Sequence, residues 1–354
     1  MAFGKLWVIA YRDLLRNRRR SLFTALAVAL GLALLIVLNG YIAGVLEDAL
    51  QNSIRLQTGH VQLRAQSYSA EKVSLQWKDL LDNPDELAAH ASTLPEVEAA
   101  APVLWATGIL NTANESSGVR IYGIETASAL YAPIQRGIVA GAYVNADDRS
   151  GILIGQHLAD NLGVSVEEKI NLTVVNADGE PEEGIFTVRG LFSTGIPSYD
   201  DSAVFLPLAK AQAFTRTDGH ASAIMMLLHQ QDDADAVVAP LAAPGITALT
   251  WRDLNAVLLQ TMSMSMSFYM IMDAIVMLVV AVIIANTLLM AVFERIREMG
   301  ILAALGMKGG QIRLMFLIEA AILGLAGIMA GIGIGCAGVA YLATAGIPVG
   351  DMGT

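Results

Sequence analysis

The sequence predicts a membrane protein: an α-helical transmembrane bundle plus a large α+β extracytoplasmic domain, a split α/β porter unit enclosing a β-rich module. Three observations predict it. Long apolar runs at residues 21–46, 268–293 and 314–343 are almost free of charge. The 354 residues are 55% hydrophobic and 16% charged, with mean hydropathy +0.53. That is too apolar for an ordinary soluble enzyme and too charged for a chain lying wholly in a bilayer. Finally, residues 47–267 carry 27 acids and 12 bases, whereas the remainder carries 6 acids and 10 bases.

Residues 1–20, MAFGKLWVIAYRDLLRNRRR, read as an amphipathic cytoplasmic elbow helix. Trp7, Tyr11 and Leu14 share a face, and bases gather toward its end. Such a helix suits the inner membrane interface, and the same bases suit a plain topology signal. Span 21–46 has 26 residues; at a rise of about 1.5 Å each it reaches about 39 Å, against a hydrocarbon core of about 30 Å. The run is long for a cleaved signal peptide, and no clear A-x-A site follows.

The extracytoplasmic segment divides into a first porter part (47–110), a β-rich inserted module (111–207) and a second porter part (208–253). GHVQLRA alternates like a strand, and NPDELAAHASTLPEVEAA reads as a helix with Asn83 before Pro84. APVLWATGIL, VRIYGI, GILIG, KINLTVV, GIFTVRGLF and SAVFLPL read as strands between Gly, Asp, Asn and Pro turns. QHLADNLGV, LAKAQAF and DADAVVAPLA read as helices, AIMMLLH and ITALTW as further strands. An acidic surface repels phosphates, so nucleic acid is excluded as a partner.

Residues 254–293 form an outer extension and the second span, 294–313 a cytoplasmic loop, 314–343 the third span, and 344–354 an outer loop. A fourth span is expected beyond it and is missing from this sequence. Lys and Arg in the short flanks set orientation. Six bases precede the first span and four lie in 294–313, so both flanks are expected to be cytoplasmic and residues 47–267 outside.

No catalytic constellation is visible. His60, His90, His157, His220 and His229 lack paired metal-ligand spacing, and neither HExxH nor GxSxG occurs. GMKGG lacks the GxxxxGK[ST] frame of a phosphate loop. The lone Cys336 sits in an apolar run, so no intrachain disulfide forms. A non-catalytic protein with neither metal nor bound cofactor is expected.

The stretch ERIREMGILAALGMKGGQIRLMFLIEAAILG resembles the signature of the FtsX-like permeases, the membrane subunits of one class of ABC transporter. Glu294, Arg295, Arg297 and Glu298 match the charged cluster, and the segment through Gly300, Ile301, Leu302, Leu305 and Gly306 matches the short helix that follows. Ala303 stands where the family often has arginine. AYRDLLRNRRRSLFTALAVALGLALLIVLNG is similar to the family's elbow and first span. GILIGQHLADNLGV and FTVRGLFSTGIPSYDDSAVFLPLAKAQAF resemble its extracytoplasmic domain. LQTGHVQLRAQSY looks closest to the lipoprotein-releasing permeases.

The resemblance implies a bacterial inner-membrane protein that couples to a separate cytoplasmic ABC ATPase. ATP and Mg would sit on that partner. It also implies a second permease subunit, identical or related, contact with membrane lipid, and a lipoprotein cargo passed to a periplasmic chaperone. The short helix becomes a coupling helix, whose apolar residues pack into a groove of the ATPase and whose charged flanks pair there; an ordinary solvated connection is the plain alternative.

Two further groups stand out. Met262, Met264, Met266, Phe268, Tyr269 and Met270 lie at the outer boundary, where flexible methionine suits varied apolar shapes such as acyl chains. They equally suit a simple extension of the span. Gly324, Gly327, Gly331, Gly335 and Gly338 permit close helix approach, within the subunit or across a dimer. Asp273 and Glu319 lie near span ends, where snorkelling or pairing is cheaper than a proton relay. Alternatives to lipoprotein extraction are a MacB-like peptide or small-molecule efflux permease, a regulator of cell-wall hydrolases, and, least supported, a membrane enzyme.

Overall fold

The computed structural model describes residues 18–345 except 70, 71, 242, 295 and 305, together with 7, 12, 14 and 16. The expectations for the rest of the elbow and for residues 346–354 lie outside the described residues. The chain divides into a helical unit, up to Asp48 and from Gln260 onward, and a strand-rich unit, Ala49–Leu259.

The helical unit is built on three long helices, Arg18–Ser53, Ala256–Glu294 and Gly309–Ala345, with the short helix Ile296–Ala304 between the last two. All three long ones are apolar enough to cross a membrane. The third begins at Gly309, inside the segment read as loop. Its start is closed by a reciprocal cap: Lys308 N–H donates to Gln311 Oε1 at 3.0 Å, and Gln311 N–H donates to the Lys308 carbonyl at 2.8 Å.

The strand-rich unit holds ten strands in one sheet. Its strands are β1 (Val61–Ala65), β3 (Val97–Asn111), β4 (Ser116–Ile124), β5 (Ile138–Gly141), β6 (Gly151–Gly155), β7 (Lys169–Val175), β8 (Pro181–Phe192), β9 (Ala203–Pro207), β11 (Ala223–Leu228) and β12 (Ile246–Thr250). The short pair β2 (Leu81–Asp82) and β10 (His220–Ala221) stands apart. Six of the ten close a ring, in the order β3, β4, β9, β6, β8, β7 and back to β3. β11, β1 and β12 extend from β3, and β5 pairs with β8. The division placed at 110/111 is therefore no break in the sheet, since β3 runs up to it and pairs on both sides.

Side-chain alternation explains this closed sheet. Ile152, Ile154, Val204 and Leu206 face one hydrophobic cluster, which draws on all six ring strands; Leu153, Ala203 and Phe205 face the other. Both faces are covered, so β6 and β9 are continuously apolar and buried throughout. Helices Gln156–Leu162 and Leu208–Thr215 add Leu158, Ala211 and Phe214 to the first cluster. On the second, Phe205 stacks at 5.2 Å from Tyr122 and meets Phe192 edge-on at 5.2 Å.

One sequence expectation is corrected. The helix read across residues 83–100 ends at Ala91, and residues from Val97 belong to β3. Pro95 disfavours helical backbone at Leu94, and Val97 and Ala99 gain cross-strand partners in Leu228 and Leu227. Asn83 precedes Pro84 as expected, but its side chain makes no cap; it holds a left-handed turn at φ 49° instead.

One buried hydroxyl closes the end of the β3–β11 ladder. Ser222 Oγ accepts the Trp105 N–H at 2.9 Å, and Ser222 is fully buried. Ser222→Ala leaves that donor without a partner and is expected to cost on the order of 1–3 kcal/mol in denaturant unfolding. An unchanged midpoint would show that the bond contributes nothing.

Candidate functional sites in the helical unit

The short helix Ile296–Ala304 ends because its next residues leave the helical path. Gly306 sits at φ 92°, a conformation that L side chains rarely adopt, and its N–H donates to the Ala303 carbonyl at 3.0 Å. Met307 turns inward and packs with Met315 and Ile318 in a small buried cluster. Of the residues read as coupling, Glu294, Arg297, Gly300 and Ile301 are exposed, Ile301 at 56%. Ile296, on the same short helix, is equally bare at 57%. Arg295 and Leu305 lie outside the described residues, as do the side chains of Glu298 and Leu302.

The residues read for substrate contact all fall on helix Ala256–Glu294. Met264, Met266, Phe268 and Met270 are exposed; Met262 and Tyr269 are half-buried. The most apolar stretch of this helix contains no buried residue, unlike the corresponding stretches of the first and third long helices. Phe268 and Tyr269 meet edge-on at 6.1 Å.

Of the five glycines read for packing, Gly327, Gly331, Gly335 and Gly338 lie against the first long helix. A Cβ added at Gly327 would lie 2.7 Å from Val28 Cβ and 3.0 Å from the Ala25 carbonyl oxygen. At Gly331 it would meet the Ala29 carbonyl oxygen at 2.8 Å, at Gly335 Ile36 Cβ at 2.8 Å, and at Gly338 Val37 Cγ2 at 2.7 Å. Gly324 faces open space and is not part of this contact. Gly40 receives Val339 from the opposite side. The small-residue stripe thus joins two helices of one chain, where backbone approach replaces the hydrophobic driving force that lipid abolishes.

Asp273 is paired across helices. Asn39 Nδ2 donates to its two carboxylate oxygens at 3.1 and 3.0 Å, and also to the Leu35 carbonyl at 3.0 Å. Thr24 Oγ1 donates to Thr287 Oγ1 at 3.5 Å between the same two helices. Sequence reading passed over Asn39, although an amide within an apolar run is itself a signal of a helix–helix hydrogen bond. Glu319 does not snorkel: it is 2% exposed.

Among the described residues, no three histidine, cysteine, aspartate or glutamate side chains gather as a metal-binding group. Three of the five histidines make local contacts: His60 Nδ1 accepts the Leu228 N–H at 2.9 Å, His220 pairs with Asp82 at 2.9 Å, and His157 pairs with Asp201.

Residues 21–243 match the MacB-like periplasmic core domain, and residues 270–350 the FtsX-like permease C-terminal domain. The chain is 24% identical, over 90% of its length and 77% of the relative's, to the lipoprotein-releasing system transmembrane protein LolC of Neisseria meningitidis. It is 26% identical, over 98% of its length and 54% of the relative's, to the macrolide export ATP-binding/permease protein MacB of Rhodospirillum rubrum. Among solved structures, the periplasmic region of MacB from Actinobacillus actinomycetemcomitans aligns with TM-score 0.40 and 12% identity, covering 59% of this chain and 97% of that one.

Proposed function

Since the chain belongs to the FtsX-like ABC transporter permeases and carries a MacB-like periplasmic core domain, we propose that it extracts lipidated or amphiphilic substrates from the outer leaflet of the bacterial inner membrane. It is a permease subunit with a periplasmic segment, and its family works with cytoplasmic ATPases. In this reading the N-terminus is cytoplasmic, ATP and Mg belong to the partner ATPase, and a second permease subunit completes the transporter. A released lipoprotein would pass to a periplasmic chaperone.

The observation that carries the reading is the bare apolar surface of helix Ala256–Glu294, whose most apolar stretch has no buried residue. Met264, Met266, Phe268 and Met270 are all more than half exposed. Methionine and aromatic side chains adapt to acyl chains of differing shape, and an unburied apolar face inside a membrane meets lipid or cargo at no desolvation cost. Export of a peptide or small amphiphile uses the same exposed surface, and the similarity to MacB favours it as the second reading.

The test uses the full chain assembled with its ATPase in nanodiscs, with photocrosslinking side chains at positions 264 and 270. Crosslinks to acylated proteins that disappear on ATP hydrolysis support extraction. Crosslinks to peptides or small molecules alone turn the assignment to efflux. Failure of the chain to assemble with any ATPase overturns both.

Coupling is probed in the same assembly by Gly306→Val. A β-branched residue at φ 92° is strained by about 1–2 kcal/mol, enough to shift the turn's equilibrium roughly tenfold. The variant is expected to assemble yet lose substrate-stimulated ATP hydrolysis. Normal stimulation and release would show that the Ile296–Ala304 helix is only a connection.

A further inference from the structure

The strand-rich unit is acidic, yet one of its grooves is basic. Two adjoining cavities of about 200 and about 450 Å³ share Gln57, Arg120 and Tyr122. Their lining includes Arg64 and Arg120 and, among the described residues, no aspartate or glutamate. A third cavity of the unit is lined by Asp85, Glu86 and Glu125, and a fourth mixes Arg55 and Arg136 with Glu98, so among these cavities only the Arg64–Arg120 groove has bases and no acid. With 27 acids against 12 bases in residues 47–267, a lining of this sign is not the expected average.

Arg64 is held in a fixed pose. Its Nε donates to Gln62 Oε1 at 2.8 Å, and the fully buried Gln62 is itself anchored by donating Nε2 to the Thr58 carbonyl at 2.6 Å. The guanidinium lies over the rings of Trp105 at 5.1 Å and Tyr68 at 5.4 Å. These contacts occupy one N–H and the face of the plane. The two terminal nitrogens, the pair that grips a carboxylate or phosphate side by side, have no partner among the described residues.

Arg189, Arg216 and Arg252 of the same unit are each bound to carboxylates. Arg64 and Arg120 have none within 4.0 Å among the described residues. Desolvation disfavours the charged form of Arg64 and lowers its proton affinity, which a bound anion would restore. Burial also pushes the Tyr68 phenol up to about 12, so that wall stays neutral. Val73 and Leu254 add apolar wall beside the two rings, while Gln57 and Thr58 leave one side of the small cavity polar but uncharged. Val73 adopts φ 44°, a backbone that a β-branched residue rarely takes and that recurs at ligand clamps.

We propose that this groove binds an anionic amphiphile: a phosphate or carboxylate head held by Arg64 and Arg120, its apolar part against Tyr68, Val73, Trp105 and Leu254. The site is built from residues of the strand-rich unit alone and does not depend on the transport reading. Any molecule bearing an anionic head on a short apolar body satisfies its chemistry.

The probes are hexyl phosphate, inorganic phosphate and 1-hexanol, titrated calorimetrically into the full chain in phosphatidylcholine nanodiscs. Saturable binding of hexyl phosphate is expected, with inorganic phosphate weaker and hexanol without effect. Arg120→Gln alters an exposed side chain and leaves the fold intact; Arg64→Lys keeps the charge and removes the planar fork. Each is expected to weaken hexyl phosphate by about tenfold or more, at an unchanged melting temperature. Equal binding of inorganic phosphate would assign the groove to a free anion and overturn the amphiphile. Equal binding of hexanol, no saturable binding, or parent-like affinity in both folded variants would overturn the site.

Discussion

Gly331→Leu is expected to separate the first and third long helices, destabilising the helical unit by about 3 kcal/mol. The added Cβ would stand 2.8 Å from the Ala29 carbonyl oxygen and 3.0 Å from Leu32 Cβ. The first of these is backbone and cannot rotate away, so the helices must move apart. That movement also loosens the neighbouring contacts at Gly327 and Gly335. Unfolding by sodium dodecyl sulfate, followed by helicity, measures the effect. Gly333→Ala and Gly324→Ala point into open space and are expected to stay within about 0.5 kcal/mol of the parent. A Gly331→Leu protein as stable as these controls would show that the close approach carries no energy.

Asn39→Leu is expected to be nearly as damaging, because it strips the Asp273 carboxylate of the amide that donates to both its oxygens. An uncompensated aspartate costs about 2.5–3.5 kcal/mol at the centre of a membrane helix, and at Asp273, just inside the end of its span, a loss of about 2 kcal/mol is expected. Asp273→Asn removes the charge and keeps one donor–acceptor pair, so about 1 kcal/mol is expected. Replacing both residues by leucine removes the unpaired charge and should recover most of the loss. The same detergent titration, run as a double-mutant cycle, reads the coupling directly. A coupling energy near zero would mean that Asp273 finds its partner elsewhere and that Asn39 is incidental.

The spans, the turn at Gly306 and most strands are readable from the residues alone. Each rests on a local rule: an uncharged run long enough to cross lipid, a glycine where the chain must turn left-handed, an alternation of period two. The local rules failed where two of them competed. Residues 95–100 fit a helical pattern, yet Pro95 and the partners offered by β11 drew Val97–Asn111 into one strand. Gly324, Gly331 and Gly338 recur every seven residues, yet of these three only Gly331 and Gly338 meet the first helix. Periodicity marks a face and says nothing of how far along it a neighbour reaches.

The sequence by itself determined membrane residence, the acidic strand-rich segment and the family signature, because hydropathy, charge and short motifs are properties of neighbouring residues. Tertiary structure alone decided the closed ring through β3 and β7, the Asn39–Asp273 pair and the meeting of Arg64 with Arg120. Asn39 and Asp273 are 234 positions apart, and the two arginines lie on different strands of one sheet. Such contacts form only when burial of a shared core brings distant segments together, and no local pattern encodes which segment arrives.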